Sequence, residues 1–181
     1  MDGDRLRHEY LRIAIQYYVS ARAASFAYLL PVVGNLFHHA VEMLLKFLLI
    51  GKFTPKQLRE RFGHDLEKIW KEYKLLQPEK TLNRYNSLIK KLNKFEDLRY
   101  PAGKGYTIFI DFRKKNYSYQ KQASVKMGEE YRLNLEQIDE LVNIMLKGKV
   151  TEEWIKSLVF HGNAKEIYER DNLHNLLDSI G

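Results

Sequence analysis

A single stretch, Asn35 to Gly51 (NLFHHAVEMLLKFLLIG), constrains the fold of this chain more than any other part of the sequence. Apolar residues occupy almost the whole circumference of the helix that this stretch would form, and such a helix is normally buried. The polar residues are spaced three, four and four positions apart, so they would form one narrow stripe along the helix. This polar stripe consists of Asn35, His38, Glu42 and Lys46, with His39 beside it. We therefore predict the central helix of a bundle, with the polar stripe facing a cleft, a partner or water.

Helical periodicity dominates the rest of the chain and predicts a mainly α protein. A first long helix is expected from Asp4 to Leu30, and Pro31 is suited to the first turn of the central helix, so the two would form an antiparallel hairpin. Asp65 is a candidate N-cap for a third helix, which ends at Pro78. Further helical segments are predicted at Thr54–Phe62, Thr81–Leu98, Leu135–Lys147, Thr151–Phe160 and Asn163–Ile180. The predicted architecture is an up-and-down bundle of about six or seven helices in a single domain over residues 1–181.

Arg22 stands apart from the polar face of the first helix and has small neighbours, Ala21 and Ala23. Small residues allow another backbone to approach closely, so Arg22 is a candidate interface residue. Alternatively, the aliphatic part of Arg22 lies along the edge of the core and its guanidinium reaches water.

An insertion after Pro101, at about residues 103–133, departs from the helical pattern. Tyr106 to Phe112 alternates and is rich in β-branched and aromatic residues, which is typical of a strand. A second strand is expected near Tyr117–Val125 or Glu130–Leu133, and the two strands would form a hairpin. A long ordered loop is the alternative.

Charge is distributed unevenly along the chain, whose net charge is +7. Six basic residues and one acid lie between Gly103 and Met127, whereas Gly128 to Glu153 holds seven acids and three basic residues. Such blocks indicate an anionic partner or self-association between unlike surfaces. Basic side chains interleaved with aromatic rings are suited to single-stranded nucleic acid, and the alternative is a hairpin tip that lysines keep soluble. The candidate RNA-binding residues are Arg113, Lys114, Lys115, Tyr117, Tyr119 and Lys121.

Missing residues and motifs exclude several classes of site. The chain contains no cysteine, which excludes disulfides, thiolate zinc sites and a cysteine nucleophile. The order of His38, His39 and Glu42 reverses the Glu-x-x-His pattern of di-iron bundles. No HExxH motif, phosphate-binding loop or serine nucleophile elbow is present. We therefore expect no metal and no cofactor. The charged N-terminal residues and the interrupted apolar run predict a cytoplasmic protein with no membrane partner.

Four motifs, in order and with short gaps between them, resemble the HEPN superfamily of helical domains: YYVSARAA, NLFHHAVEMLLKFLL, GHDL and LRYP. The resemblance covers the segment from Tyr10 to Pro101. It implies an up-and-down helical bundle, often a homodimer, and work in RNA-directed defence, in toxin–antitoxin pairs or beside a small nucleotidyltransferase. The expected partners are therefore a second copy of the chain, an RNA and a nucleotidyltransferase-like antitoxin.

Many members of the superfamily cut RNA with an Arg that is followed, after four to six residues, by a His on a late helix. Arg59 and His64 match this spacing, but they lie before the third helix, where GHDL is typical of a structural turn. Arg170 and His174, late in the chain, have one residue too few between them. A ribonuclease without a metal requires a base, an acid and cationic donors for the phosphate. The candidate catalytic residues are Arg59, His64 and His38.

Three functions remain as hypotheses. The leading one is a HEPN-like accessory or RNA-interacting protein, dimeric and without assigned catalysis. The second is a metal-independent ribonuclease toxin, and the third is a purely structural oligomerisation module. In a two-fold dimer, Arg22, His38 and Glu42 of each copy would meet around the polar stripe and build an interface or a composite site.

Overall fold

The computed structural model describes residues 3–99, 106–111, 113–114, 117–118, 128–159 and 161–176. Helices dominate this part of the chain, which confirms the mainly α class with a small strand insertion. The α-helices are α1 (Gly3–Phe26), α2 (Leu30–Leu49), α3 (Pro55–Gln57), α4 (Leu66–Leu76), α5 (Asn86–Lys94), α6 (Leu135–Leu146), α7 (Glu152–Val159) and α8 (Ala164–Glu169). A π-helical turn, Leu58–Phe62, follows α3, and 3₁₀ segments at Lys80–Tyr85 and Phe95–Arg99 flank α5.

The first two helices form the predicted hairpin, but α1 is shorter than predicted. It ends at Phe26 rather than Leu30, because Tyr28 adopts a left-handed backbone conformation, with φ of 56°, that turns the chain. The next helix begins at Leu30, and Pro31 lies in its first turn, where a missing backbone N–H costs no helical hydrogen bond. The short turn holds α1 and α2 side by side as antiparallel neighbours.

The central helix α2 lies in the middle of the hydrophobic core. It contacts α1, α4, α5 and α6, and apolar side chains around it, including Phe37, Val41, Leu45 and Phe47, are fully buried. By length and composition, Val32–Leu49 is also apolar enough to cross a membrane, and 67% of this window is buried inside the protein. Contact with neighbours on most sides explains why apolar residues occupy nearly the whole circumference of α2.

Side-chain caps begin several of the helices, including α4 and α6. Asp65 accepts a hydrogen bond of 3.0 Å from the backbone N–H of Lys68, which confirms it as the N-cap of α4. Asn134 caps α6 in the same way and accepts a hydrogen bond of 2.9 Å from the backbone N–H of Gln137. Both caps satisfy N–H groups that the first helical turn leaves without a partner.

Two further predicted helices differ in extent from the observed ones. Thr81–Leu98 is not one helix but a 3₁₀ segment, then α5, then a second 3₁₀ segment. The last helix, α8, ends at Glu169 because Asp171 has a left-handed φ of 52°. Asn172 then donates a hydrogen bond of 3.0 Å from its side chain back to the carbonyl of Tyr168. The end predicted for this helix lies outside the described residues.

The outer strands of the insertion are parallel, so the predicted hairpin between them is wrong. β1 (Tyr106–Asp111) pairs with β4 (Glu129–Asn134) along the full length of both strands, first residue with first residue. The position of β4 is fixed by α6, which follows it without a loop, and by the alternating burial of Tyr131 and Leu133. Parallel pairing requires a long connection, and this connection contains Arg113, Lys114, Lys115, Lys121 and Lys126.

A shorter hairpin lies within that connection. β2 (Arg113–Lys114) and β3 (Tyr117–Ser118) pair in an antiparallel arrangement, with Lys114 opposite Tyr117. Of the two positions proposed for a second strand, Glu130–Leu133 is therefore confirmed as part of β4. The other proposed strand is Tyr117–Val125. The structure describes only Tyr117 and Ser118 of it, which form β3.

Candidate functional site

The carboxylate of Glu42 lies at the centre of the polar stripe, and its two oxygens have different partners. Lys46 Nζ donates one hydrogen bond to Glu42 Oε1 at 2.5 Å and another to the carbonyl of Gly63 at 2.8 Å. Glu42 is 0% exposed and Lys46 is 6% exposed. The two side chains therefore lie on the same face of α2, one helical turn apart, as their spacing predicts.

Three of the four residues of the polar stripe are covered by this chain itself, so the prediction that the stripe faces a cleft, a partner or water is wrong for them, whereas Asn35 is half-buried. His38, Glu42 and Lys46 are all buried. The groups that cover them come from the turn before α4, from α5 and from the 3₁₀ segment after α5, and they are His64, the carbonyl of Leu92 and Glu96. A two-fold contact through His38 and Glu42 is wrong for the same reason, since neither side chain reaches the surface.

Three imidazole rings surround the second oxygen of Glu42. Oε2 lies 3.3 Å from His39 Nδ1, 3.1 Å from His64 Nδ1 and 3.8 Å from His38 Nε2. Two of these rings come from α2, whereas His64 is 22 residues further along the chain than Glu42 and is 54% exposed. The backbone of Gly63, with φ of 56° and ψ of −122°, makes the turn that brings His64 to the carboxylate. We call His38, His39, Glu42 and His64 the His–Glu cluster.

The buried end of the His–Glu cluster contains polar atoms without a hydrogen-bond partner among the described residues. His38 Nδ1 lies 3.1 Å from the carbonyl of Leu92, which only accepts, so Nδ1 carries the proton of the neutral ring. His38 Nε2 is then an acceptor, yet it faces Oε2 of Glu42 at 3.8 Å and Oε2 of Glu96 at 3.7 Å. Neither His38 Nε2 nor Glu96 Oε2 has a partner. Acceptors that face one another in this way favour a positive charge between them.

Burial and neighbouring charges decide the ionisation of the cluster. Burial opposes ionisation of Glu42, but hydrogen bonds from His39, Lys46 and His64, together with the charge of Lys46, outweigh it and lower the pKa of Glu42 to about 2. Burial lowers the pKa of His38 and outweighs the opposite effect of its hydrogen bond to Leu92 and of the nearby carboxylates. At neutral pH the cluster therefore contains an anionic Glu42 beside a neutral His38.

Arg22 is buried inside the protomer, so neither an interface nor an exposed guanidinium, the two alternatives predicted for it, is correct. Its side chain is 0% exposed, and its guanidinium donates hydrogen bonds to the carboxylate of Asp139 and to the carbonyls of Ile167 and Arg170. The hydroxyl of Tyr18 donates to the other oxygen of Asp139 at 2.5 Å. This buried network joins α1 to α6 and to the end of α8.

The two residues of the nuclease-like spacing have different environments. Arg59 is exposed on the π-helical turn, whereas His64 contacts Glu42. The charges of Arg59 and Glu42 both act on Tyr10, whose pKa is raised mainly by burial. The turn at GHDL therefore has the structural role predicted for it, because Asp65 caps α4, and it also delivers an imidazole to the polar stripe.

The late pair, Arg170 and His174, lies away from the His–Glu cluster. The Arg170 guanidinium lies over the ring of Phe26, 4.5 Å from its centroid, and His174 Nε2 is 3.9 Å from a carboxylate oxygen of Glu136. Arg170 therefore contacts α1, whereas His174 contacts α6.

The candidate RNA-binding residues are only partly described. Arg113, Lys114 and Tyr117 are described through their backbone in β2 and β3, and Lys115, Tyr119 and Lys121 lie outside the described residues. The antiparallel register places basic residues of one strand opposite Tyr117 and Ser118 of the other. These residues are distinct from the His–Glu cluster, so the chain carries two separate candidate sites.

Glu96 and Asp139, the partners of His38 and Arg22, are not predicted from the sequence. Glu96 meets His38 across 58 positions of the chain and Asp139 meets Arg22 across 117. Neither acid lies in a distinctive local sequence pattern.

Comparison with protein-family models, with characterised proteins and with solved structures finds no match to this chain.

Proposed function

We propose that this chain is a HEPN-like, RNA-interacting accessory protein that forms a homodimer. The mainly α fold belongs to the class that the resemblance implies, and the basic insertion has a charge suited to an anionic chain. The partners proposed with it are an RNA and a nucleotidyltransferase-like antitoxin, whose gene would lie next to the gene for this chain. The dimer would use a surface other than Arg22, His38, Glu42 and Lys46, which are buried in each protomer.

The observation that carries this proposal is the hairpin of β2 and β3 inside the basic insertion. Its register places Lys114 opposite Tyr117, and six basic residues accompany a single acid between Gly103 and Met127. Cations for the phosphates and aromatic rings for stacking are the two groups that single-stranded RNA requires.

Replacing Arg113, Lys114 and Lys115 together by alanine should weaken RNA binding and reduce its dependence on salt. Fewer counterions are released when fewer cations contact phosphates, so the slope of log affinity against log salt should fall by roughly two to three units. Fluorescence anisotropy with a labelled single-stranded RNA, between roughly 50 and 200 mM salt, measures both quantities.

A matched control removes three positive charges from a different part of the chain. Lys71, Lys90 and Lys91 are exposed on α4 and α5, and their triple alanine variant loses three positive charges outside the insertion. This variant should retain most of the affinity and the salt slope. Equal losses in the two triple variants would show that net charge, rather than the insertion, attracts RNA.

A ribonuclease is the second candidate function, and the contact between His64 and Glu42 favours it. An imidazole 3.1 Å from a buried carboxylate is held in place and can exchange protons with a substrate, and at 54% exposure it is accessible to one. Arg59, which four residues separate from His64, would supply a cation for the phosphate.

If the ribonuclease hypothesis is correct, purified protein should cut RNA in excess EDTA, and His64→Ala should lower the rate by a factor of about 10² to 10⁴. Cleavage of a labelled RNA, followed on denaturing gels, measures the rate. His161→Ala, which removes an exposed histidine outside the cluster, should leave the rate unchanged. A wild type that is inactive in EDTA, or an active His64→Ala variant, would exclude this mechanism and leave the accessory role.

A further inference from the structure

We propose that the His–Glu cluster binds one divalent first-row transition-metal ion, with His38 Nε2, His39 Nδ1, Glu42 Oε2 and His64 Nδ1 as ligands. The proposal concerns this cluster alone and does not depend on whether the chain binds RNA. It departs from the expectation, based on the order of residues in α2, that no metal binds.

The distances between the donor atoms are close to those of a coordination shell. Ligands at about 2.1 Å from a tetrahedral ion lie roughly 3.4 Å from one another. Glu42 Oε2 is 3.3 Å from His39 Nδ1, 3.1 Å from His64 Nδ1 and 3.8 Å from His38 Nε2. The donor atoms of His38, His39 and Glu42 all lie within 4.8 Å of one another. Small side-chain rotations, with the ring protons of His39 and His64 on Nε2 rather than Nδ1, would bring these donor atoms around an ion.

His38 has the second hydrogen bond that metal-binding histidines usually make. Such a ring commonly donates its other N–H to a backbone carbonyl or a carboxylate, which fixes its tautomer and its orientation. The carbonyl of Leu92 accepts from His38 Nδ1 at 3.1 Å, so the free lone pair of the ring is on Nε2. This Nε2 atom is buried, has no hydrogen-bond partner and faces Glu42 Oε2.

One oxygen of Glu42, which is buried, and one oxygen of Glu96, whose side chain is 30% exposed, face the same position. Oε1 of Glu42 accepts a hydrogen bond from Lys46 at 2.5 Å, and Oε1 of Glu96 accepts one from Arg99 at 2.5 Å. The second oxygen of each faces His38 Nε2, and Glu96 Oε2 has no hydrogen-bond partner. A divalent cation between these atoms would supply the positive charge that they lack, with Glu96 beside it as a further oxygen donor.

The donor set indicates the class of metal. Imidazole nitrogens with a carboxylate suit zinc, cobalt, nickel, copper or iron, whereas calcium and magnesium prefer shells made of oxygen. The exposed ring of His64 lies between the buried ligands and water and provides a route by which the ion enters. A proton on His38 Nε2 is the alternative source of positive charge, and it would leave no metal binding to detect.

The experiment uses untagged protein that has been dialysed against EDTA and then against metal-free buffer. Calorimetric titration with ZnCl₂ should show about one ion per chain, and CoCl₂ should produce the visible absorption of a four-coordinate cobalt site. His64→Ala and His39→Gln should each weaken zinc binding by about tenfold or more, since loss of even a supporting group costs that much. Zinc should also raise the melting temperature of the wild type, because it binds only the folded state.

Two controls separate a specific site from a loss of structure or from surface binding. His161→Ala removes an exposed histidine outside the cluster and should bind zinc like the wild type. Circular dichroism without metal should show that both cluster variants remain folded, since His64 is 54% exposed and His39 is 19% exposed. The proposal is overturned if the wild type binds no zinc, or if both folded cluster variants bind zinc as tightly as the wild type.

Discussion

Replacing Arg22 by methionine should lower the free energy of unfolding by about 3–5 kcal/mol, because it leaves the buried carboxylate of Asp139 without its cation. Arg22 is 0% exposed and Asp139 is 2% exposed, so water does not replace the lost partner. The carbonyls of Ile167 and Arg170 also lose the donors that satisfy them. Urea denaturation followed by circular dichroism measures the change as a shift of the midpoint at constant slope.

Two further variants show whether the effect comes from the buried charge. Arg12→Ala removes an exposed arginine from the same helix, whose pair with Glu9 is 41% and 43% exposed, and it should cost less than about 1 kcal/mol. Arg22→Met combined with Asp139→Asn removes both charges and keeps an acceptor for Tyr18, so it should be more stable than Arg22→Met alone. An Arg22→Met variant as stable as Arg12→Ala would contradict the buried pair.

Replacing Gly34 by alanine should destabilise the protein by about 1–3 kcal/mol, although alanine is the better helix former by roughly 1 kcal/mol. A Cβ atom at this position would lie 1.8 Å from Cδ1 of Phe95, a distance that no rotation of the methyl group can relieve. Phe95 is 0% exposed and its ring packs 5.1 Å from that of Tyr131, so it has little room to move. Thermal unfolding of the wild type and the variant measures the loss.

The clash can be tested by making room for the new methyl group. Phe95→Leu removes part of the ring, so the double variant with Gly34→Ala should lose less stability than the sum of the single losses. Gly3→Ala is the control, since a Cβ there has nothing within 4 Å. It should leave the stability unchanged or slightly raised. Additive losses at Gly34 and Phe95 would contradict the close approach of α2 to the 3₁₀ segment.

The nuclease and metal hypotheses assign different chemistry to the same ring. If Nδ1 of His64 binds an ion, the proton of the neutral ring lies on Nε2, so the ring has no lone pair left with which to act as a base, and His64 cannot serve both purposes at once. If the chain cuts RNA in EDTA, zinc should inhibit it at the concentration that fills the cluster. RNA binding through the β2–β3 hairpin is independent of both outcomes, because its residues lie in a different part of the chain.

Local patterns were enough to predict most of the fold. The apolar circumference of α2, the cap at Asp65 and the place of Pro31 depend on a few neighbouring residues, and each is as expected. The errors have a different origin. α8 ends early because Asp171 and Asn172 turn the chain, and the end of α1 depends on Tyr28, a residue that rarely adopts positive φ. Such turns are decided by packing rather than by periodicity.

The candidate site was only half predictable. The spacing of His38, Glu42 and Lys46 placed them on one face of α2, since helical geometry alone decides this. What covers that face depends on contacts with His64 and Glu96, which come from other elements. Polar residues on an apolar helix look the same in a sequence whether they face water or a buried counter-charge, so exposure was predicted where burial occurs.

The Arg22 network also has a consequence for how the protein is made. Its partners lie 117, 145 and 148 residues later in the chain, so the ribosome completes α1 and α2 long before it synthesises them. Until α6 and α8 emerge, the α1–α2 hairpin carries a cation that it cannot bury without cost. We therefore expect the part of the nascent hairpin around Arg22 to remain exposed to solvent. The bundle would close there only after the C-terminal third of the chain has been synthesised.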